Sequence, residues 1–227
     1  QLTLEMGIDE SNIIVPSKQS VKAALPFEDH ETLAFAQSVM RTLNRYFVSH
    51  NISACLDSGT LLGAVRNKGL IPWDDDIDLA VDKDNYERLQ ASLPELYKLL
   101  NTNYDVKWNI VIITVNNIDC CINLEFSNSS HTQLVPFDIS IQRRESINGL
   151  SELLSSGGLF FAPATHFDSY EPIEFLGETF LAPFDAEGFL TFMYGHWQTP
   201  KKMTQITEYE NRRASMSAPR TGISVQK

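Results

Sequence analysis

From residue 74 to residue 81 the chain reads Asp-Asp-Asp-Ile-Asp-Leu-Ala-Val, so carboxylates at Asp74, Asp76 and Asp78 alternate with Ile77, Leu79 and Val81. Alternate side chains of an extended strand share a face, which sends the three carboxylates to one side and the aliphatic groups to the other. The aliphatic side belongs in a core, and this draws the acidic side into the body of the domain, where unneutralised charge is costly. Three like charges on one face repel unless a cation sits among them, and oxygen donors of this kind suit Mg²⁺ or Mn²⁺. The alternative is an acidic turn entering a strand, the ordinary origin of an Asp cluster.

The preceding segment favours the metal. Ile52 to Leu56 reads as a buried strand running into Asp57-Ser58-Gly59-Thr60, followed by a short helix from Leu61 to Asn67 that Gly69 closes. Gly59 permits close backbone approach, and amides at a helix start can receive phosphate, which makes Gly59 and Thr60 candidate cofactor-binding residues. Arg66 and Lys68 precede the acidic strand and are candidates for holding a phosphate, with a solvated helix end as the alternative. Trp73 can stack on a base or simply pack.

A metal bridging phosphates needs a carboxylate from a second strand, because ligands from one strand leave its coordination sphere open on one side. Asp138, within Val135-Pro136-Phe137-Asp138-Ile139-Ser140, is the candidate, and Asp119, Glu125 and Asp105 compete with it.

Elsewhere, Leu33, Ala36, Met40, Leu43 and Phe47 form an apolar stripe that predicts a helix from Asp29 to about His50. A helix capped by Asp82 follows the acidic strand and runs toward Pro94, with further strands expected over 106–115, 122–126 and 135–141. Residues 146–183, rich in glycine and proline, read as loops lining a site, ahead of a helix from Asp185 to Tyr194 that Gly195 ends and Trp197 packs over. The expected class is α/β in the α+β sense. It has an arm over 1–27, a catalytic domain over 28–207 and a mobile tail over 208–227.

With 18 Lys plus Arg against 29 Asp plus Glu, the 227-residue chain carries a net charge of 18 − 29 = −11. It lacks the basic stripe that nucleic acid requires. No run approaches the roughly 20 apolar residues that span a bilayer, so any membrane anchor is expected outside this chain. Cys55 can bridge to Cys120 or Cys121, or all three are buried thiols. Asn51-Ile52-Ser53 and Asn128-Ser129-Ser130 fit the glycosylation pattern. Cys120, Cys121 and His131 lack the paired spacing of a zinc module, and His166 and Asp168 with Ser58 or Ser169 lack the elbow of a hydrolase triad.

The segments Gly59 to Arg66, Lys68-Gly69, Ile71 to Asp78 and Tyr194-Gly195-His196-Trp197-Gln198-Thr199-Pro200 together resemble the LicD and fukutin family, which includes fukutin-related protein, over about residues 30–202. The resemblance implies the polymerase-beta-like nucleotidyltransferase fold, with a mixed central sheet flanked by helices. It implies transfer of a phosphorylated alcohol, such as phosphocholine or ribitol phosphate, from a CDP-activated donor to a glycan hydroxyl with release of CMP. Carried over by position, Asp76 and Asp78 are the paired metal ligands, Asp138 the ligand from the second strand, and Asp74 a further catalytic carboxylate. Eukaryotic relatives imply the secretory pathway or Golgi lumen, and bacterial ones the cytoplasm. Two other readings stand beside this one. An Asp-x-Asp glycosyltransferase would normally place a nucleotide-binding βαβ region before the motif, where this chain has mostly one helix. A non-catalytic relative would bind glycan or a partner through the same pocket, and the unbroken row Asp74, Asp76, Asp78 argues against it.

Overall fold

The computed structural model describes residues 24–115, 117–155, 158–202, 212–213 and 220–224. The expected arm lies outside them except for its last four residues.

Helix α1 (His30–Ser49) starts where the Asp29 carboxylate accepts the Thr32 N–H at 2.9 Å and the Thr32 hydroxyl at 2.6 Å. Its buried face carries Ala36, Val39, Met40, Leu43 and Phe47. Phe35 adds an aromatic contact on the same helix, 5.9 Å from Trp108, 5.1 Å from Phe126 and 5.9 Å from Phe137 between ring centroids. Phe137 is thereby anchored inward, and the next residue, Asp138, is left on the exposed side.

The sheet is mixed. β1 (Cys55–Leu56) is antiparallel to β2 (Asp76–Val81), and β2 is parallel to β5 (Asp138–Ile147). The hairpin of β3 (Val106–Val115) and β4 (Ile118–Asn128) joins the other side of β5 through β4. Ile77, Leu79, Ile139, Ile141, Ile122 and Leu124 are buried on one face, where α3 (Lys83–Ala91) and α4 (Leu93–Asn103) cover the strands. The one helix expected after Asp82 is thus two. α3 stops at Ser92, and Pro94 opens α4, since a residue without an N–H is tolerated in a first turn and not in a helix interior.

Residues 146–183 correct the expectation of loops. They form β6 (Leu150–Ser155), which makes hairpins with the end of β5 and with β7 (Gly158–Pro163), and a further hairpin of β8 (Tyr170–Phe175) with β9 (Glu178–Pro183). The turn residues were visible, but they punctuate strands. Asn148-Gly149 and Leu176-Gly177 all have positive φ, as two-residue hairpin turns require, and Pro172 lies on β8 at the end of the strand order. β5 extends beyond β2 to pair with β6, and β9 runs parallel to β1. Helix α5 (Ala186–Tyr194), capped by Asp185, then packs near β7 and β9. Of the expected tail, β10 (Arg212–Arg213) pairs with β7 and β11 (Arg220–Ser224) with β3. Its remainder lies outside the described residues.

All three cysteines are buried thiols. β1 and β4 are three strand spacings apart in the order β1, β2, β5, β4, roughly 14 Å, which is too far for a bridge. No helix among the described residues is long and apolar enough to cross a membrane.

Candidate active site

The helix expected from Leu61 begins earlier. Asp57 is its N-cap, accepting the Ser58 N–H at 2.7 Å, and α2 (Ser58–Leu62) runs on into a π-helical turn (Gly63–Asn67). Gly59 and Thr60 therefore lie in the first helical turn, packed against the acidic strand. The Asp57 N–H donates to the Asp78 carbonyl at 3.1 Å, and the Asp78 N–H donates to Thr60 Oγ1 at 2.9 Å. Both sides of the Asp78 backbone are held by one turn of α2. Gly59 has its own reason, because a Cβ there would overlap Asp74 Oδ2 and lie 3.5 Å from Asp74 Cγ. The glycine is what lets the Asp74 carboxylate lie against the helix.

Carboxylate oxygens of Asp74, Asp75 and Asp76 come within 4.8 Å of one another. Asp75 was not among the expected residues. Asp138 is the register partner of Asp76 across the parallel β2–β5 pair, and since β2 pairs with β1 and β5, none of Asp105, Asp119 or Glu125 holds that position. Asp119 accepts from Gln90 and Thr114, and Asp105 faces His131 at 3.5 Å, whereas Glu125, which accepts from Asn123, comes one residue past the Leu124–Ile139 register pair and so falls beside Asp138 on the side of β5 away from Asp76. Asp78 lies outside the Asp74–Asp76 group among the described residues. It aligns with Ser140 and accepts a 3.0 Å hydrogen bond from Gln142 Nε2.

Burial pushes the Asp76 carboxyl up to about 7, helped by the charges of Asp74, Asp75 and Asp138. Asp74 is raised by burial too, and Asp78 is raised strongly by burial and then by Asp76 and Asp57. Carboxylates that resist ionisation in a row of hard oxygen donors fit a divalent cation of the Mg²⁺ or Mn²⁺ kind. The linkage has a definite sign. Between the ordinary Asp value of 3.8 and about 7 the folded state keeps a proton on Asp76 that the unfolded chain has released, so the metal-free protein loses stability as pH rises through that window. A divalent cation such as Mn²⁺ held by these carboxylates would compete with those protons. The rise in melting midpoint on adding Mn²⁺ should be small at pH 5.5 and large at pH 8, and equal rises at the two pH values would contradict this account.

Arg66 projects from the π-helical turn. Its Nη1 donates to the Trp197 carbonyl at 3.0 Å and its Nε to Asn67 Oδ1 at 2.7 Å, while its guanidinium lies 5.9 Å from the Trp73 ring centroid. Lys202 Nζ is 5.6 Å from the same ring. Trp197 is buried and donates Nε1–H to Thr191 Oγ1 at 3.1 Å, so it packs back on α5 as expected. Arg66 thus ties two distant sequence segments together beside the acidic strand. Lys68 is exposed in a left-handed conformation at the end of the π-helical turn.

Sequence reasoning missed the pair behind this site. Asp57 and Arg144 form a buried ion pair, with Nε to Oδ2 at 2.9 Å and Nη2 to Oδ1 at 3.3 Å. No periodicity marks Arg144, because β5 changes partners there and an Arg in a polar stretch looks solvated. The components of a hydrolase triad do not assemble: His166 Nδ1 lies 2.8 Å from the Phe184 carbonyl, and Asp168 accepts from Ser146. The Asn128 side chain is occupied within its own turn, donating to the Leu134 carbonyl and accepting from the Leu134 N–H.

A two-strand acidic row braced by a glycine-bearing helical turn, on a mixed sheet flanked by helices, describes a class of α+β proteins. The family description LicD/FKTN/FKRP, nucleotidyltransferase domain, matches residues 51–185, more than half of the sequence, and the chain belongs to the LicD family. Similar proteins include an uncharacterised protein of Rickettsia prowazekii, 38% identical over 73 residues (32% of this chain, 27% of that protein). Another is the lipopolysaccharide cholinephosphotransferase LicD of Haemophilus influenzae, 46% identical over 61 residues (25% of this chain, 23% of that protein). The matched stretch spans about a quarter of the length of each of these relatives.

Proposed function

We propose that this protein is a metal-dependent transferase that moves a phosphorylated alcohol or sugar from a CDP-activated donor to a glycan hydroxyl and releases CMP, on a polymerase-beta-like nucleotidyltransferase fold. The observation that carries the reading is the register of Asp76 beside Asp138 on adjacent parallel strands, next to the converging carboxylates of Asp74 and Asp75. Membership of the LicD family supports a transferase acting on glycans, and the similarity to a cholinephosphotransferase supports a phosphorylated-alcohol donor.

In this reading Asp76, Asp78 and Asp138 would hold Mg²⁺ or Mn²⁺, with Asp74 and Asp75 adding negative charge beside them. The cation would offset charge on the donor diphosphate and on the leaving CMP. Asp138, on the exposed side of β5, or Asp74 accepts the proton of the acceptor hydroxyl as its oxygen bonds to phosphorus and the bond from phosphorus to the CMP oxygen breaks. Arg66 and Lys68 contribute positive charge for donor phosphate. Gly59 and Thr60 serve the donor site from behind the carboxylates, Gly59 by leaving room for the Asp74 carboxylate and Thr60 by fixing the Asp78 backbone.

The test is thermal stability against CDP-choline, CDP-ribitol, CDP-glycerol and UDP-sugars, each with and without Mn²⁺. A Mn²⁺-dependent rise with one CDP compound is expected, about 2.7 kcal/mol of added stability at a hundredfold excess over Kd. No rise with any nucleotide would overturn the proposal in favour of a non-catalytic glycan- or partner-binding protein. A rise with a UDP-sugar alone, and release of a nucleoside diphosphate, would make it a glycosyltransferase.

A further inference from the structure

We infer that the buried Asp57–Arg144 pair is a positioning device that sets the first turn of α2 against the acidic strand, and through it the geometry of the carboxylates. The inference rests on the acidic strand being the metal-binding element.

Stability does not account for the pair. Taking two charges out of water costs about as much as their attraction returns, and well-packed apolar residues of similar volume commonly serve as well or better. Asp57 is completely buried and Arg144 is 5% exposed, and Arg144 Nη1 is buried without a hydrogen-bond partner, a further cost. What the pair has is direction. The guanidinium lies 4.0 Å over the Phe167 ring and 5.6 Å from that of Phe189, which fixes its plane, and its fork grips both oxygens of Asp57.

The place of the grip gives it meaning. Arg144 belongs to β5, the strand whose Asp138 is the register partner of Asp76. Asp57 caps α2, and its N–H holds the Asp78 carbonyl, while Thr60 takes the Asp78 N–H. A closed circuit therefore runs from β5 through Arg144 and Asp57 into α2, from α2 to both sides of Asp78 in β2, and back to β5 through the strand ladder. The same turn carries Gly59, against which Asp74 lies. If the fork is removed, the turn keeps its cap but loses its fixed distance from β5. A displacement of about 1 Å at a reacting centre can cost a hundredfold in rate.

The variant to test is Asp57→Asn/Arg144→Met. Asn keeps the cap on Ser58, and Met fills the stem volume of Arg without leaving a buried charge unpaired. Two readouts are needed: hydrogen exchange over residues 57–62 and 76–81 in metal-free protein, and Mn²⁺ binding by calorimetry, both well below the melting midpoint. Exchange at least tenfold faster over these two segments, with β3 and β4 unchanged, and Mn²⁺ affinity at least tenfold weaker are expected. Arg144→Lys keeps the charge without the fork and should give an intermediate loss in both, and it carries the test if the double variant does not fold. Unchanged exchange overturns the inference. So does faster exchange with Mn²⁺ affinity within twofold of wild type, since the pair would then hold the turn without serving the site. Failure of the wild-type protein to bind Mn²⁺ would remove the metal reading on its own, and unchanged or faster exchange would still decide whether the pair sets the turn.

Discussion

Asp76→Asn is expected to leave a folded protein that no longer turns over. Asp76 is the one carboxylate that belongs both to the converging group with Asp74 and Asp75 and to the register pair with Asp138. Asn is nearly isosteric but offers one neutral oxygen, and losing an anionic ligand removes several kcal/mol of charge stabilisation in the transition state. At about 1.4 kcal/mol per decade, a loss of about 4 kcal/mol corresponds to about a thousandfold in kcat. The fold should not suffer. The carboxyl of Asp76 is raised to about 7 because burial and its acidic neighbours oppose ionisation, so at pH 8 the neutral amide relieves repulsion in the metal-free protein. CMP release with the donor identified by thermal shift, and the metal-free melting midpoint at pH 8, check the two halves. A variant with wild-type turnover would end the case for Asp76 as a metal ligand. A variant with a much lower midpoint would mean that its carboxylate holds the fold instead.

Gly59→Ala should be nearly as damaging to the site, for a steric reason. The added Cβ would overlap Asp74 Oδ2, and the short Asp74 side chain can yield only by swinging its carboxylate away from the cluster. Ala is otherwise a better helix residue than Gly by up to about 1 kcal/mol, so the global cost should be small. Mn²⁺ affinity is expected to fall between tenfold and a hundredfold, about what misplacing a supporting group costs a metal site. Gly63→Ala is the contrast, because its Cβ would stand 2.5 Å from the Gly69 carbonyl and 3.2 Å from Ile71 Cγ1. Backbone cannot rotate aside, and overpacking of this kind costs about 1–3 kcal/mol of stability. If the two variants behave alike in calorimetry and in thermal melts, Gly59 is a helix residue with no special relation to Asp74.

Local signals explain what could be foreseen. The α1 stripe, the helix starts at Asp29 and Asp185, the Asp82 cap and the alternation of Ile77, Leu79 and Val81 all depend on residues three or four positions apart, or two apart, and these spacings read directly as helix and strand. The β5–β6 hairpin was legible in principle, because Asn148-Gly149 is a turn signal of the right length between Ile147 and Leu150. The density of glycine and proline over residues 146–183 suggested loops, since turn residues mark both hairpins and irregular chain. The start of α2 was misplaced by three residues because Ser58 and Gly59 are poor helix formers, and tertiary bonds from Asp57 and Thr60 to β2 outweigh that preference.

The candidate site divides in the same way. The expectations within one segment came from local pattern: Asp74, Asp76 and Asp78 from spacing two, and Gly59 and Thr60 from following a strand. That Asp138, and not Asp105, Asp119 or Glu125, is the register partner of Asp76 follows from the β2–β5 pairing, which no local pattern encodes. Asp75 joins Asp74 and Asp76 because the chain is still turning before β2 begins at Asp76, so strict alternation does not yet apply. Arg66 meets Trp197, and Arg144 meets Asp57, across 131 and 87 residues. By itself the sequence determined the acidic strand, α1, α5 and the Asp82 cap, because each depends on neighbours along the chain. Only the tertiary structure decided which second strand faces that row and which buried cation stands behind it, because strand register and ion-pair partners are set by packing between distant segments.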